Sequence, residues 1–221
     1  MDRLGIETSV CSGLEALLGE PIEGNRLLEQ GAAPHGERFK GYLAFNPLYA
    51  KPLVAAFDAF FARDFFVGFK ALCDYWKVPV DDPRFNPAYE YANRHRLPFL
   101  LHTWQGSYDS PAMLKDVVKR YPDAVFILGH SGGPDRGRRE AEELAIENPN
   151  VYLEFCGSFT GTIPWEETIG RVGNDRVLFG TDAVLHDPVW ELGRFVSIDL
   201  PAETLRPILG DNMRRLLAAR Q

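Results

Sequence analysis

Three residues carry most of the chemical signal in this chain, and each ends an apolar run. His102 follows Pro98-Phe99-Leu100-Leu101, His130 follows Ile127-Leu128-Gly129, and Asp182 follows Phe179-Gly180-Thr181. An imidazole at the end of a buried run can be a satisfied core residue. It can also be a metal ligand, since neutral imidazole is the commonest zinc donor and a strand end holds it rigidly. His130 precedes Ser131-Gly132-Gly133. Small residues there admit a substrate or a neighbouring loop, which suits a general acid–base more than a turn histidine. A carboxylate such as Asp182 is costly at a buried strand end without a partner. An N-cap or salt bridge would satisfy it, as would a cation whose bound water gives up a proton to it.

Further groups fall at matching places. Lys70 ends the run Phe66-Val67-Gly68-Phe69 and could pair with a substrate carboxylate, form a metal-bridging carbamate, or sit in an ordinary ion pair. Trp104 and Gln105, with Tyr108, follow His102 and are candidates for substrate contact. Glu154 is open between site and scaffold. Cys156 has no basic neighbour in sequence and reads as a packing thiol. His186 and Asp187 lie just past Asp182 and could reach over a site mouth; His35 and His95 read as surface residues.

To bring such distant residues together, the chain must alternate strands and helices. Seven apolar runs read as buried strands: Ile6–Cys11, Tyr42–Phe45, Phe66–Leu72, Phe99–Thr103, Val125–Gly129, Val151–Phe155 and Val177–Gly180. Helical spacing links Leu53, Val54, Phe57, Phe60 and Phe61, and again Leu114, Val117, Val118 and Tyr121. Ser110-Pro111 reads as an N-cap with proline at the first helical position. Pro201 to Leu217 reads as one closing helix, and Gly5, Gly24, Gly36 and Pro122 as boundaries. Alternation of this kind predicts a parallel sheet with right-handed crossovers, whose ligands gather at the carboxyl ends of its strands. An open doubly wound sheet is the alternative, but no glycine-rich phosphate turn follows the first run.

A closed barrel has eight strands, and seven are recognisable here. Met1-Asp2-Arg3-Leu4-Gly5 reads as the last turn of a helix with its glycine cap. The expectation is an α/β, TIM-barrel-like (β/α) barrel, incomplete at the N-terminus, in one domain spanning 1–221. Met1 would then be an internal methionine, and two strand edges would be left to meet, be covered or pair with a second copy.

The 221 residues are 45% hydrophobic and carry a net charge of −7, which allows one full core and argues against nucleic acid as a partner. No apolar run is long enough for a membrane span, and the first residues do not form a signal peptide. Cys11, Cys73 and Cys156 are odd in number and far apart, which points to a reducing, cytoplasmic setting.

Taken in order, several segments resemble the amidohydrolase-related group of the amidohydrolase superfamily, metal-dependent TIM-barrel hydrolases and decarboxylases. They are Arg38-Phe39 with Asn46-Pro47, Val67-Gly68-Phe69-Lys70, Leu97-Pro98-Phe99-Leu100-Leu101-His102, Ile127-Leu128-Gly129-His130-Ser131-Gly132-Gly133, Asn148-Pro149-Asn150-Val151-Tyr152-Leu153-Glu154, Arg176-Val177-Leu178-Phe179-Gly180-Thr181-Asp182 and Asp211-Asn212-Met213-Arg214-Arg215-Leu216-Leu217. The resemblance implies His102 and Asp182 as ligands of one divalent metal, usually zinc. It makes His130 the acid–base or electrophilic catalyst, and Asp182 a handler of the metal-bound water's proton. Lys70, Trp104 and Gln105 are the expected substrate contacts. The implied reaction is amide or lactone hydrolysis, or decarboxylation, of a small carbonyl or carboxylate compound. The group's first strand carries a His-x-His pair of further ligands, and this chain has no His-x-His. An upstream Asp-x-His-x-His segment is therefore expected. The alternatives are a shortened, catalytically impaired barrel serving as a binding or assembly subunit, an enzyme completed by another chain, and metal-free chemistry through His130 and Asp182. A homo-oligomer is expected.

Overall fold

The computed structural model describes residues 1–157 and 162–220. Its seven strands are β1 (Ser9–Cys11), β2 (Phe39–Ala44), β3 (Phe66–Ala71), β4 (Pro98–His102), β5 (Val125–Gly129), β6 (Val151–Phe155) and β7 (Val177–Phe179). All neighbours are parallel, and the order in the sheet is the order in the chain. That order has no switch point, so the doubly wound alternative is excluded. The sheet curls as a half-barrel.

Among the described residues, eleven α-helices run between and after the strands: α1 (Leu14–Leu18), α2 (Pro21–Ala32), α3 (Ala50–Phe61), α4 (Cys73–Trp76), α5 (Asn86–His95), α6 (Lys115–Arg120), α7 (Asp135–Glu147), α8 (Ile163–Val172), α9 (Pro188–Val196), α10 (Ala202–Arg206) and α11 (Asn212–Ala218). Each strand alternates its side chains between two covered faces, which is why the runs read as continuously apolar. Outward-facing Phe69, Phe99, Phe126, Leu128 and Leu153 join Phe57, Tyr89, Val118 and Leu144 of the helices in the main core. The other face carries a second set: Ile127, Tyr152 and Leu178 meet Leu216 of α11, with Leu100 and Met213 against them. The closing helix therefore packs on the concave face of the sheet.

Two expectations need correction. Gly24 is no boundary but lies inside α2, where a Cβ would fall 2.2 Å from the Ala16 backbone nitrogen. It is a glycine because α1 and α2 touch there through their backbones. The stretch from Pro201 to Leu217 is not one regular helix. A π-helical segment over Pro207–Asp211 separates α10 from α11, at the proline that cannot donate to the α ladder.

Near the start of the chain, a short 3-10 turn over Asp2–Leu4 ends at Gly5 with φ 66°, as the helix-end reading anticipated. β1 and β7 are the two ends of the sheet, each paired on one side only among the described residues. Glu7 and Arg214 reach each other across the gap at 2.9 Å. No helix is long and apolar enough to cross a membrane among the described residues.

Candidate functional site

Register places the polar groups in layers. His102 pairs with Gly129, Gly129 with Glu154, and Glu154 with Leu178, one layer above Lys70 and Leu100. The glycines make room: a Cβ at Gly180 would overlap the Glu154 carboxylate, and one at Gly129 would meet the Leu101 carbonyl at 2.9 Å.

His130 is aimed by its backbone. His130, Ser131, Gly132 and Gly133 have φ of 62°, 48°, 79° and 76°. Four successive left-handed residues fold the chain sharply back, a conformation that costs energy at the two non-glycine positions. The turn is tied down on three sides. Thr103 Oγ1 donates to the Gly129 carbonyl at 2.7 Å and accepts from the Gly132 N–H at 2.9 Å, while Ser131 Oγ donates to the Glu154 carbonyl at 3.0 Å. His130 Nδ1 lies 3.2 Å from the Cys156 carbonyl, an acceptor that assigns the proton to Nδ1 and leaves Nε2 as the free base.

His102 and His130 come together, with ring centroids 4.7 Å apart. Trp104 stands edge-on to His130 at 6.0 Å, over Gly133, where a Cβ would strike the indole. Burial drives the His102 pKa down to about 3, helped by the neighbouring His130 and Lys70. Burial, then Lys70, also lowers that of His130. Both rings are thus neutral near pH 7. Lys70 is lowered by burial, with Glu154, Cys156 and Asp182 pulling the other way. Glu154 is raised by burial, partly offset by Cys156 and Lys70. Lys70, Glu154, His130 and Asp182 therefore share one field at the carboxyl end of the sheet.

Asp182 sits past β7 with φ 50° and faces His186, whose Nε2 is 3.7 Å from Asp182 Oδ2. Gln105 differs from the other expected contacts. Its carbonyl accepts from Arg136 at 2.8 Å, and its Cβ lies close to Gly137 of α7. Its described contacts are therefore to the helical layer rather than to the histidines.

Sequence reasoning missed four groups. Cys156 is in the site: its thiol donates to Glu154 Oε2 at 2.9 Å and lies 3.4 Å from His130 Nδ1. Burial and Glu154 raise its pKa well above the ordinary thiol value, so it is a proton donor, not a thiolate nucleophile. Asp109, buried, lies 3.8 Å from His102 Nε2, and its pKa is raised to about 6 by burial and Asp74. Tyr75 stands edge-on to His102 at 5.7 Å on the exposed rim. Glu191, buried on α9, lies 3.9 Å from His186 Nδ1. The i,i+3 spacing of Glu191 and Arg194 was the signal available for the last.

The chemistry of the donors bears on a metal. His102 offers a neutral imidazole and Asp182 a carboxylate, both suited to a divalent ion. The described residues nevertheless hold no group of three or more His, Cys, Asp or Glu placed to share one ion. A catalytic zinc site normally takes three protein ligands, so the two expected donors do not by themselves fit one.

Comparison with known proteins places the chain. A family model described as amidohydrolase matches residues 21–218. Protein fluG of Emericella nidulans is 34% identical over 97 residues, a match to 38% of this chain that spans 11% of that protein's length. Among solved structures, a 2,6-dihydroxybenzoate decarboxylase from Rhizobium superposes with a TM-score of 0.81 at 20% identity, over 99% of this chain and 86% of that one. An uncharacterised TIM-barrel protein from Bordetella bronchiseptica gives 0.82 at 20% identity, over 99% and 80%. A dihydroxybenzoic acid decarboxylase from Polaromonas, with bound manganese and the inhibitor 2-nitroresorcinol, gives 0.74 at 21% identity, over 99% and 83%.

Proposed function

Because the chain belongs to the amidohydrolase family, we propose that it is a hydrolase or decarboxylase of a small carbonyl or carboxylate compound. The observation that carries this reading is the convergence of His102, His130, Lys70 and Glu154 at one end of the sheet, with Asp182 in the same field. His130 is the acid–base group. Its Nδ1 is anchored, so Nε2 can take a proton from an attacking water and return it to the leaving group. In decarboxylation, the same nitrogen would carry the proton to the carbon that loses carbon dioxide. Lys70 supplies the cationic side for a substrate carboxylate, and the Trp104 indole walls a flat ligand against His130. Gln105 stays in the proposal as a rim contact by its place after Trp104.

A divalent ion, zinc or manganese, would draw on His102 and Asp182 and supply Lewis acidity. These two do not complete a site, so no step is assigned to it. Nothing in the site favours a binding or assembly subunit.

The test is turnover. Hydroxybenzoates, lactones and small amides are offered to the purified chain with manganese or zinc, and carbon dioxide release or ring and amide opening is followed. Turnover in one arm that falls by about a hundredfold or more in H130N supports the reading. No turnover in any arm, or turnover indifferent to His130, overturns it.

A further inference from the structure

The end of β6 grips the His130 turn at two places. Ser131 Oγ donates to the Glu154 carbonyl at 3.0 Å, and His130 Nδ1 lies 3.2 Å from the carbonyl of Cys156, one residue past the strand. The Cys156 sulfur is close as well, 3.4 Å from the same Nδ1. A thiol carries one proton, so this second contact has two settings. With its proton aimed at the ring, the thiol needs a lone pair on Nδ1 and sends the imidazole proton to Nε2. With its proton turned away, the sulfur accepts from Nδ1–H. The two settings favour opposite tautomers, and only the second leaves Nε2 as a base.

The Glu154 side chain decides between them. Its Oε2 accepts from the Cys156 thiol at 2.9 Å, and an ionised acceptor outcompetes a neutral ring nitrogen that lies farther off. Burial raises the Glu154 pKa, while the thiol, Lys70 and the His130 backbone N–H favour its charged form. The sheet makes space for this carboxylate on both sides. Gly129 pairs with Glu154 in register, and a Cβ there would fall 3.6 Å from Oε2; a Cβ at Gly180 would overlap the carboxylate itself. Strands β5 and β7 thus withhold side chains where the glutamate reaches for the thiol.

We infer that Glu154 is a positioning residue for His130: by holding the Cys156 proton it makes the sulfur an acceptor for Nδ1–H and so keeps Nε2 free. The inference rests on the acid–base role of His130 in the functional reading above. It gives the thiol a use that needs no thiolate, and it gives the carboxylate a use beyond its charge. The Cys156 carbonyl and sulfur then act together, as two acceptors for one proton.

The experiment reads the His130 tautomer by two-bond proton–nitrogen spectra in the full chain, C156A, E154M and the double variant E154M/C156A, each checked for folding by thermal melts. The wild type and C156A should carry the proton on Nδ1. E154M keeps the side-chain length without the carboxylate, so the freed thiol should move a measurable share of the proton to Nε2. The double variant, with no thiol left to misdirect it, should move the proton back. E154D withdraws the carboxylate by one methylene and should shift the tautomer the same way, which serves where E154M does not fold. In the wild type alone, the infrared S–H stretch assigned by difference from C156A should lie at the low frequency of a thiol bonded to a carboxylate. Turnover should follow the tautomer: kcat should fall by about tenfold or more in E154M with KM within about twofold, and recover in the double variant. A merely structural glutamate would leave the double variant at least as impaired as E154M. That result, an unchanged tautomer in the folded Glu154 variants, Nε2–H in the wild type, or a free-thiol stretch would overturn the inference. A tautomer that depends on Glu154 without turnover of any substrate would leave it standing while the functional reading falls. Turnover that needs His130 while the tautomer ignores Glu154 would do the reverse.

Discussion

His102 shows how far a single residue can be judged from its sequence neighbours. An imidazole at the end of an apolar run had to be either buried or functional, and it proves to be half-buried, neutral and beside a second histidine. Its folded pKa of about 3 lies below the ordinary 6.5, so the unfolded chain binds the extra proton between those values. Stability therefore rises with pH through that window and is lost as pH falls toward 3. Asp109, raised from 3.8 to about 6, works in the opposite sense over a narrower span. Urea unfolding midpoints between pH 7 and 4 should thus decline with acid in the wild type and much less in H102N; parallel profiles would contradict the burial argument. What the sequence left unread at this scale is what returns from elsewhere in the chain. Cys156 meets His130 from 26 positions away, and Glu191 meets Gly157 from 34. Neither pairing leaves a trace in local spacing. The Gln105 contacts follow from the loop's anchorage to Arg136, which composition does not reveal.

At the scale of elements, the strands were legible because burial on both faces makes them uniformly apolar: β5 and β6 have the bounds their runs suggested. Glycine was misread where packing rather than a turn demanded it. G24A should force α1 and α2 apart, since the obstacle is backbone that cannot rotate away. A loss of about 1–3 kcal/mol is expected in chemical unfolding, and an unchanged midpoint would refute the close approach. A second joint is buried charge. Glu142 of α7 is 0% exposed and accepts from Arg138 at 2.8 Å and Thr168 of α8 at 2.6 Å, with Arg171 Nε in charge contact at 3.0 Å. Removing the carboxylate takes a buried acceptor from Arg138, Thr168 and Arg171, while Arg138 keeps Glu167 at 2.9 Å, so E142A should cost about 1–3 kcal/mol. A cost below 1 kcal/mol would mean that water already reaches the pair.

At the scale of the whole molecule, the sheet order followed from strand–helix alternation alone, while the cover on its concave face by Leu216 and Met213 did not. Nothing in the pattern of α11 distinguishes one side of a sheet from the other. The one-sided pairing of β1 and β7 leaves backbone groups able to recruit another strand. The exposed Glu7–Arg214 pair contributes little across that gap, and E7A should leave the melting midpoint in place. Sedimentation should accordingly report a homo-oligomer, and a monomer at all concentrations would show that the edges are adequately protected. The most direct trial of the account concerns the mouth itself. It is the rate of substrate breakdown by the manganese-loaded chain, compared between the wild type and H130N under one set of conditions. A fall of about a hundredfold or more, with the fold intact, is the expected result; equal rates would mean that the convergence of histidines at the strand ends is scaffold and that the chemistry lies elsewhere.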